Sequence, residues 1–79
     1  MVMINPDLFE RIEKNRNTIH EAVRATYSTF VKNGQVYFQI DTYGSTVREM
    51  RDKVSQSIQL DKQMAAILVD MLRATFHLD

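Results

Sequence analysis

Val36-Tyr37-Phe38-Gln39-Ile40-Asp41 alternates apolar and polar side chains without interruption. In an extended chain successive side chains point to opposite faces, so Val36, Phe38 and Ile40 share one face and Tyr37, Gln39 and Asp41 the other. A second stretch, residues 54–60, repeats the pattern more loosely. There Val54, Ile58 and Leu60 share a face with Gln56, and Ser55, Ser57 and Gln59 take the opposite one. Two strands with one greasy side each make a marginally stable ribbon in water. The apolar face must be covered, and the edges must be paired, blunted or offered to a partner.

The flanking sequence supplies the cover. Asn5 suits a helix N-cap, Pro6 the first helical position, and Asp7 and Glu10 the positive end of the helix dipole, while Ile4 can staple onto Phe9. The spacing predicts a helix over residues 6–32. Phe9, Ile12, Ile19, Val23, Tyr27 and Phe30 recur at threes and fours, opposite Arg11, Lys14, Asn17, Glu21 and Arg24, with Glu10 and Lys14 at the favourable spacing for an ion pair. Asn33-Gly34 closes that helix, Gly34 taking the left-handed conformation. Such a helix extends about 39 Å, longer than a globule of this size is wide, and Asn15-Arg16-Asn17-Thr18 is its weak point. A continuous helix with a polar interruption is the leading reading. Two helices with a turn near Asn17, or a protruding half that pairs with a second copy, are the alternatives.

At the other end Asp61 is an N-cap candidate, and Met64, Ile67, Leu68, Met71, Leu72, Thr75 and Phe76 form a helical stripe to the C-terminus. The expected fold class is therefore α+β, with a long N-terminal helix, a two-stranded antiparallel β unit and a C-terminal helix, both helices on one face. A single small domain spans residues 1–79. A 9.2 kDa chain buries only about 60% of its unfolded surface, so a homodimer sharing the sheet or the helices is expected.

Charge and composition narrow the function. Lys and Arg number 10 and Asp and Glu number 10, giving no net charge, whereas a protein that neutralises several phosphates normally shows a basic excess. The absence of cysteine removes disulfides, thiolate zinc sites and a Cys nucleophile. The opening MVMINPD lacks the cationic start and apolar run of a signal peptide, and no apolar stretch approaches roughly eighteen residues. A cytoplasmic protein with no membrane association is expected.

No motif for a metal, a nucleophile or a phosphate is complete. Gly44-Ser45-Thr46 with Arg48 behind it can cup an anion, and reads more simply as a turn at a strand end with Ser45 as a cap. Thr46-Val47-Arg48-Glu49 has the spacing of a capping box. Asp41 and Asp61-Lys62 lack the acid-x-lysine spacing of a metal-dependent nuclease, and His20 and His77 have no second ligand at helical spacing. No metal or cofactor and no catalytic activity are expected.

What remains is collective. Tyr37, Gln39, Asp41 and Tyr43 on one strand, with Ser55, Ser57 and Gln59 on the other, form a plane of hydrogen-bonding groups carrying two aromatic rings. Ser45, Arg48, Arg51 and Lys53 stand at its rim. Uncharged polar groups interleaved with Tyr and Arg suit protein recognition. The expected role is a small non-catalytic interaction protein, an adaptor, inhibitor or antidote-like factor, that binds a protein partner through this surface. The alternative is a nucleic-acid-binding accessory protein with Arg48, Arg51 and Lys53 on phosphates and the tyrosines stacking on bases.

The two blocks FQIDTYGS and KVSQSIQLD, the second leading into an apolar helix, also resemble a group of short uncharacterised bacterial proteins, some labelled methionyl-tRNA formyltransferase. The resemblance covers about residues 36–76, with Asp52 standing where a Gly would precede the Lys. It implies kinship and no activity, since 79 residues leave no room for a folate-binding catalytic domain.

Overall fold

Asn33 and Gly34 both adopt positive φ, 53° and 79°, and sit between Lys32 and Gln35, which are directly paired. Two central residues with φ above zero make a type I′ turn, whose twist matches that of a β-hairpin. In this computed structural model, which describes residues 1–44 and 53–79, the dipeptide therefore joins two strands, β2 (Ala25–Lys32) and β3 (Gln35–Tyr43). Among the described residues the remaining elements are β1 (Val2–Met3), a 3-10 turn (Pro6–Leu8), β4 (Val54–Leu60) and α1 (Lys62–Phe76).

The strands form one mixed sheet in the order β1-β4-β3-β2, antiparallel except for the parallel pair β1 and β4. This overturns the long N-terminal helix, the two-stranded unit and the placement of two helices on one face. The helix predicted over residues 6–32 is instead a single 3-10 turn, a run without regular structure over residues 9–24, and strand β2. Asn5 does cap: its Oδ1 accepts the Asp7 N–H at 2.9 Å. The cap starts one turn only, because Asn15, Asn17 and Thr18 are poor helix formers and the apolar stripe that follows is left largely uncovered; Ile12 and Ile19 stay exposed. Glu10 and Lys14 do not form the expected pair. Arg11 instead contacts Glu13 at 2.7 Å, two residues away, a spacing that a helix would put on different sides.

In α1 the Asp61 Oδ1 accepts the Met64 N–H at 2.8 Å, and the helix ends where His77 turns left-handed at φ 55°. The first turn of α1 lies over the apolar face on the β4 side, where Leu60 and Met64 are the buried hydrophobic side chains among the described residues. A groove of about 440 Å³, lined by Thr29, Val36, Phe38, Leu60 and Ala65 among others, separates its first turns from the far half of the sheet. That far half is bare: Tyr27 is 73% exposed, Val31 67% and Val36 60%.

Candidate functional site

The pairing register decides which side chains share the polar face. Gln39 lies opposite Gln59 and Asp41 opposite Ser57 across β3 and β4, while Thr26, Ser28 and Phe30 of β2 lie opposite Asp41, Gln39 and Tyr37. These residues therefore occupy one surface of the sheet, with Met3 of β1 beside Gln59.

Backbone alternation explains why the polar groups bond across β3 and β4. Tyr43 N–H donates to the Arg24 carbonyl at 3.0 Å, so the odd-numbered residues of β3 direct their backbone groups toward β2. Gln39 and Asp41 are consequently in non-hydrogen-bonded pairs with Gln59 and Ser57, where Cα atoms approach to about 4.5 Å and side chains come closest. Gln59 Nε2 donates to Gln39 Oε1 at 2.7 Å, Gln39 Nε2 donates to Asp41 Oδ1 at 2.9 Å, and Ser57 Oγ donates to the same oxygen at 2.5 Å. The chain of amides thus runs in one direction and ends on a carboxylate. Ser57 is buried beneath this ladder, and a small pocket of about 180 Å³ lined by Met1, Val2, Met3, Gln39, Ser57 and Gln59 flanks it.

Aromatic groups frame the ladder at both ends. Phe30 and Tyr37 stack with ring centroids 5.3 Å apart and planes 26° from parallel. At the other end Tyr43 OH and Thr26 Oγ1 share a hydrogen bond of 2.9 Å, and the Arg24 guanidinium sits 4.4 Å from the Tyr43 ring centre. Neither Phe30 nor Arg24 stood out as part of this surface in the sequence, because both fell on the helix read over residues 6–32. Their signal was the register that an Asn-Gly hairpin imposes on residues 24–43.

Tyr37, Gln39, Asp41, Tyr43, Ser57 and Gln59 are thus brought together on one face. Ser55 is not part of the ladder. Thr42 pairs with Gln56 and Tyr43 with Val54, leaving Ser55 as the extra residue of a β-bulge, exposed to solvent. Lys53 is exposed beside the start of β4. Ser45, Arg48 and Arg51, with the anion-cup and capping-box readings, lie outside the described residues.

Chemically the ladder is an array of fixed donors and acceptors converging on one carboxylate. Among the described residues no buried side-chain nitrogen or oxygen lacks a partner, no three His, Cys, Asp or Glu side chains cluster as metal ligands, and no helix is long and apolar enough to cross a membrane. Comparison with protein-family models, characterised proteins and solved structures gives no match, so the class and the site rest on geometry alone.

Proposed function

We propose that this chain is a small non-catalytic interaction protein of the cytoplasm, working as a homodimer and binding a protein partner on the ladder face. The observation that carries this reading is the shortage of interior. A folded monomer of this mass exposes about 4,900 Å², whereas this chain exposes 7222 Å², about 2,300 Å² more. Its radius of gyration is 14.9 Å against about 12 Å for a compact chain of its length. A protein with so much uncovered surface completes itself against another polypeptide.

The ladder face is suited to choosing the partner. Its amides and carboxylate are already held by one another, so binding freezes few rotamers, and its rim carries Tyr37, Phe30, Tyr43 and Arg24, residue types that dominate interface energetics. The test is capture of a partner from the native cell by the wild-type chain and by the Gln39→Ala and Tyr43→Ala variants. Loss of capture with a nearly unchanged melting curve is the expected result. Capture that survives both substitutions removes this face as the docking surface, and recovery of nucleic acid with affinity falling steeply in salt replaces the protein partner.

A further inference from the structure

Asn33-Gly34 is a reactive dipeptide as well as a turn. The side-chain Cγ of an asparagine is open to attack by the main-chain nitrogen of the next residue, and glycine, having no Cβ, hinders that attack least. The other asparagines are followed by residues that oppose it. Asn5 precedes Pro6, whose nitrogen has no proton to lose; Asn15 precedes Arg16, and Asn17 precedes the β-branched Thr18.

The fold leaves the dipeptide accessible. Every residue from Val31 to Val36 is exposed, and no heavy atom lies within 4 Å of the place a Cβ would take at Gly34. The turn closes between Lys32 and Gln35, so Gly34 N–H makes no hydrogen bond to the described residues and is available as the nucleophile once its proton is lost. Ring closure requires Asn33 to rotate its ψ out of the turn, so the reaction proceeds from a locally opened tip. The tip lies on the half of the sheet where Val31 and Val36 are uncovered, which is where opening costs least.

We propose that Asn33 is a site of spontaneous covalent modification, an intramolecular deamidation that divides the chain into two products with different hairpins. Gly34 N bonds to Asn33 Cγ, the Cγ–Nδ2 bond breaks, and ammonia leaves, the proton from Gly34 balancing it. Water then opens the five-membered imide. Attack at Cγ leaves an aspartate on an unaltered main chain; attack at the main-chain carbonyl carbon leaves an isoaspartate, whose main chain runs through Cβ and Cγ. Both products add one negative charge to a chain whose acids and bases balance at 10 each. They differ in the turn. Asp-Gly supports the same type I′ geometry as Asn-Gly, whereas the isoaspartyl link adds a backbone atom to a two-residue loop that sets eight β2–β3 pairs without a shift. The pairs nearest the turn, Lys32 with Gln35 and Phe30 with Tyr37, lose their register first, and with them goes the Phe30–Tyr37 stack at the rim of the ladder face.

The test ages the folded 79-residue chain in neutral buffer below its melting transition, beside a urea-unfolded sample, and maps peptic peptides prepared in acid. The peptide containing Asn33 should gain one mass unit before those containing Asn15 or Asn17, and part of it should accept a methyl group from protein isoaspartate methyltransferase. Asn33→Gly, which keeps a Gly-Gly turn of the same type and removes the reacting amide, should melt like the wild type and show no gain at that position. A position 33 that stays unmodified in the folded chain while the unfolded chain converts overturns the inference, as does earlier modification at Asn15 or Asn17. Anion exchange then separates the isoaspartyl product. Its Phe30, Lys32, Gln35 and Tyr37 amides should lose protection from hydrogen exchange, while Asn33→Asp keeps it; full protection in the isoaspartyl product overturns the claim of two different hairpins. No partner enters any of these measurements, so their outcome and that of the capture experiment on the ladder face are separate.

Discussion

On either side of β3 the same alternation of apolar and polar residues ends in opposite states. On the β4 side Ser57, Leu60 and Met64 are buried, the strand runs into a helix capped by Asp61, and side chains bond across the sheet. On the β2 side Tyr27, Val31 and Val36 carry equally apolar groups that remain in water. Alternation specifies a strand and its two faces; what it does not specify is whether another element arrives to cover the apolar one. Here the first turn of α1 closes over the Leu60 end of β4, and the segment that would cover the β2 half, residues 9–24, forms no regular element.

Met64 marks the closed half most sharply. It is 0% exposed, and Met64→Ala should lower stability by about 2–5 kcal/mol, through lost transfer energy plus a residual cavity. Val31→Ala, the matching truncation on the open half, should cost less than about 0.5 kcal/mol at low protein concentration, where the chain is monomeric. Urea midpoints measured at fixed concentration compare the two. Equal losses would mean that Val31 is as enclosed as Met64 and that the contrast is false. A Val31→Ala cost that grows with concentration would sharpen it, since a partner that binds only the folded form adds stability by mass action.

The ladder offers a second comparison, between a polar group on the closed side and one left in solvent. Asp41→Ala removes the acceptor of the buried Ser57 hydroxyl and of Gln39 Nε2, and stranding the buried donor should cost about 1–3 kcal/mol. Ser55→Ala, at the exposed bulge, should change the urea midpoint by no more than about 0.5 kcal/mol equivalent. If the double change Asp41→Ala with Ser57→Ala recovers part of the loss, the stranded hydroxyl is its cause.

The hairpin between the two halves shows what was readable and what was not. The alternation at Val36–Asp41, the opposite faces of residues 56–60 and the Asp61 cap are local signals, and each corresponds to an observed pairing or bond, whereas the bulge at Ser55 pairs Val54 with Tyr43 of the polar face and so overturns the faces expected for Val54 and Ser55. Asn33-Gly34 is ambiguous as a local signal: the same dipeptide closes a helix with one left-handed residue or turns a hairpin with two. Val23, Tyr27 and Phe30 fall at helical spacing only because Phe30 sits on the polar face, where its ring stacks on Tyr37; the β-branched and aromatic run Thr26, Tyr27, Thr29, Phe30, Val31 favours a strand. β1 could not be read at all. It is two residues long, and its partner Ile58-Gln59 lies more than fifty positions away, so nothing in MVMINPD marks it. The Ile4 N–H bond to the Gln59 carbonyl at 3.1 Å is a product of tertiary packing.

Gly34→Val tests the hairpin directly. No heavy atom lies within 4 Å of the place a Cβ would take at Gly34, so the cost is backbone strain alone at φ 79°, about 1–2 kcal/mol. Gly44, where the surroundings are equally open and φ is not in the left-handed range, should accept Val with little change. A thermal scan in which the two substitutions are equally mild would contradict the type I′ turn and restore the reading of Asn33-Gly34 as a helix end.

The smallest effect separates the two caps, which are nearly identical as bonds and differ in what they hold. Asp61 Oδ1 accepts the Met64 N–H at 2.8 Å and Asn5 Oδ1 accepts the Asp7 N–H at 2.9 Å. The first begins a fifteen-residue helix whose first turn contains the buried Met64; the second begins a three-residue turn with no buried residue. Asp61→Ala should therefore cost about 1 kcal/mol, because unfolding the helix is part of global unfolding and the lost bond is felt in full. Asn5→Ala should stay within about 0.5 kcal/mol, since the turn it caps can open while the sheet and α1 stay folded, and a bond that breaks before the global transition adds nothing to it. Exchange of the Asp7 amide at a rate independent of urea would confirm local opening. A cost for Asn5→Ala as large as that for Asp61→Ala would show that residues 1–8 and the parallel pairing of β1 belong to the same cooperative unit as the closed half.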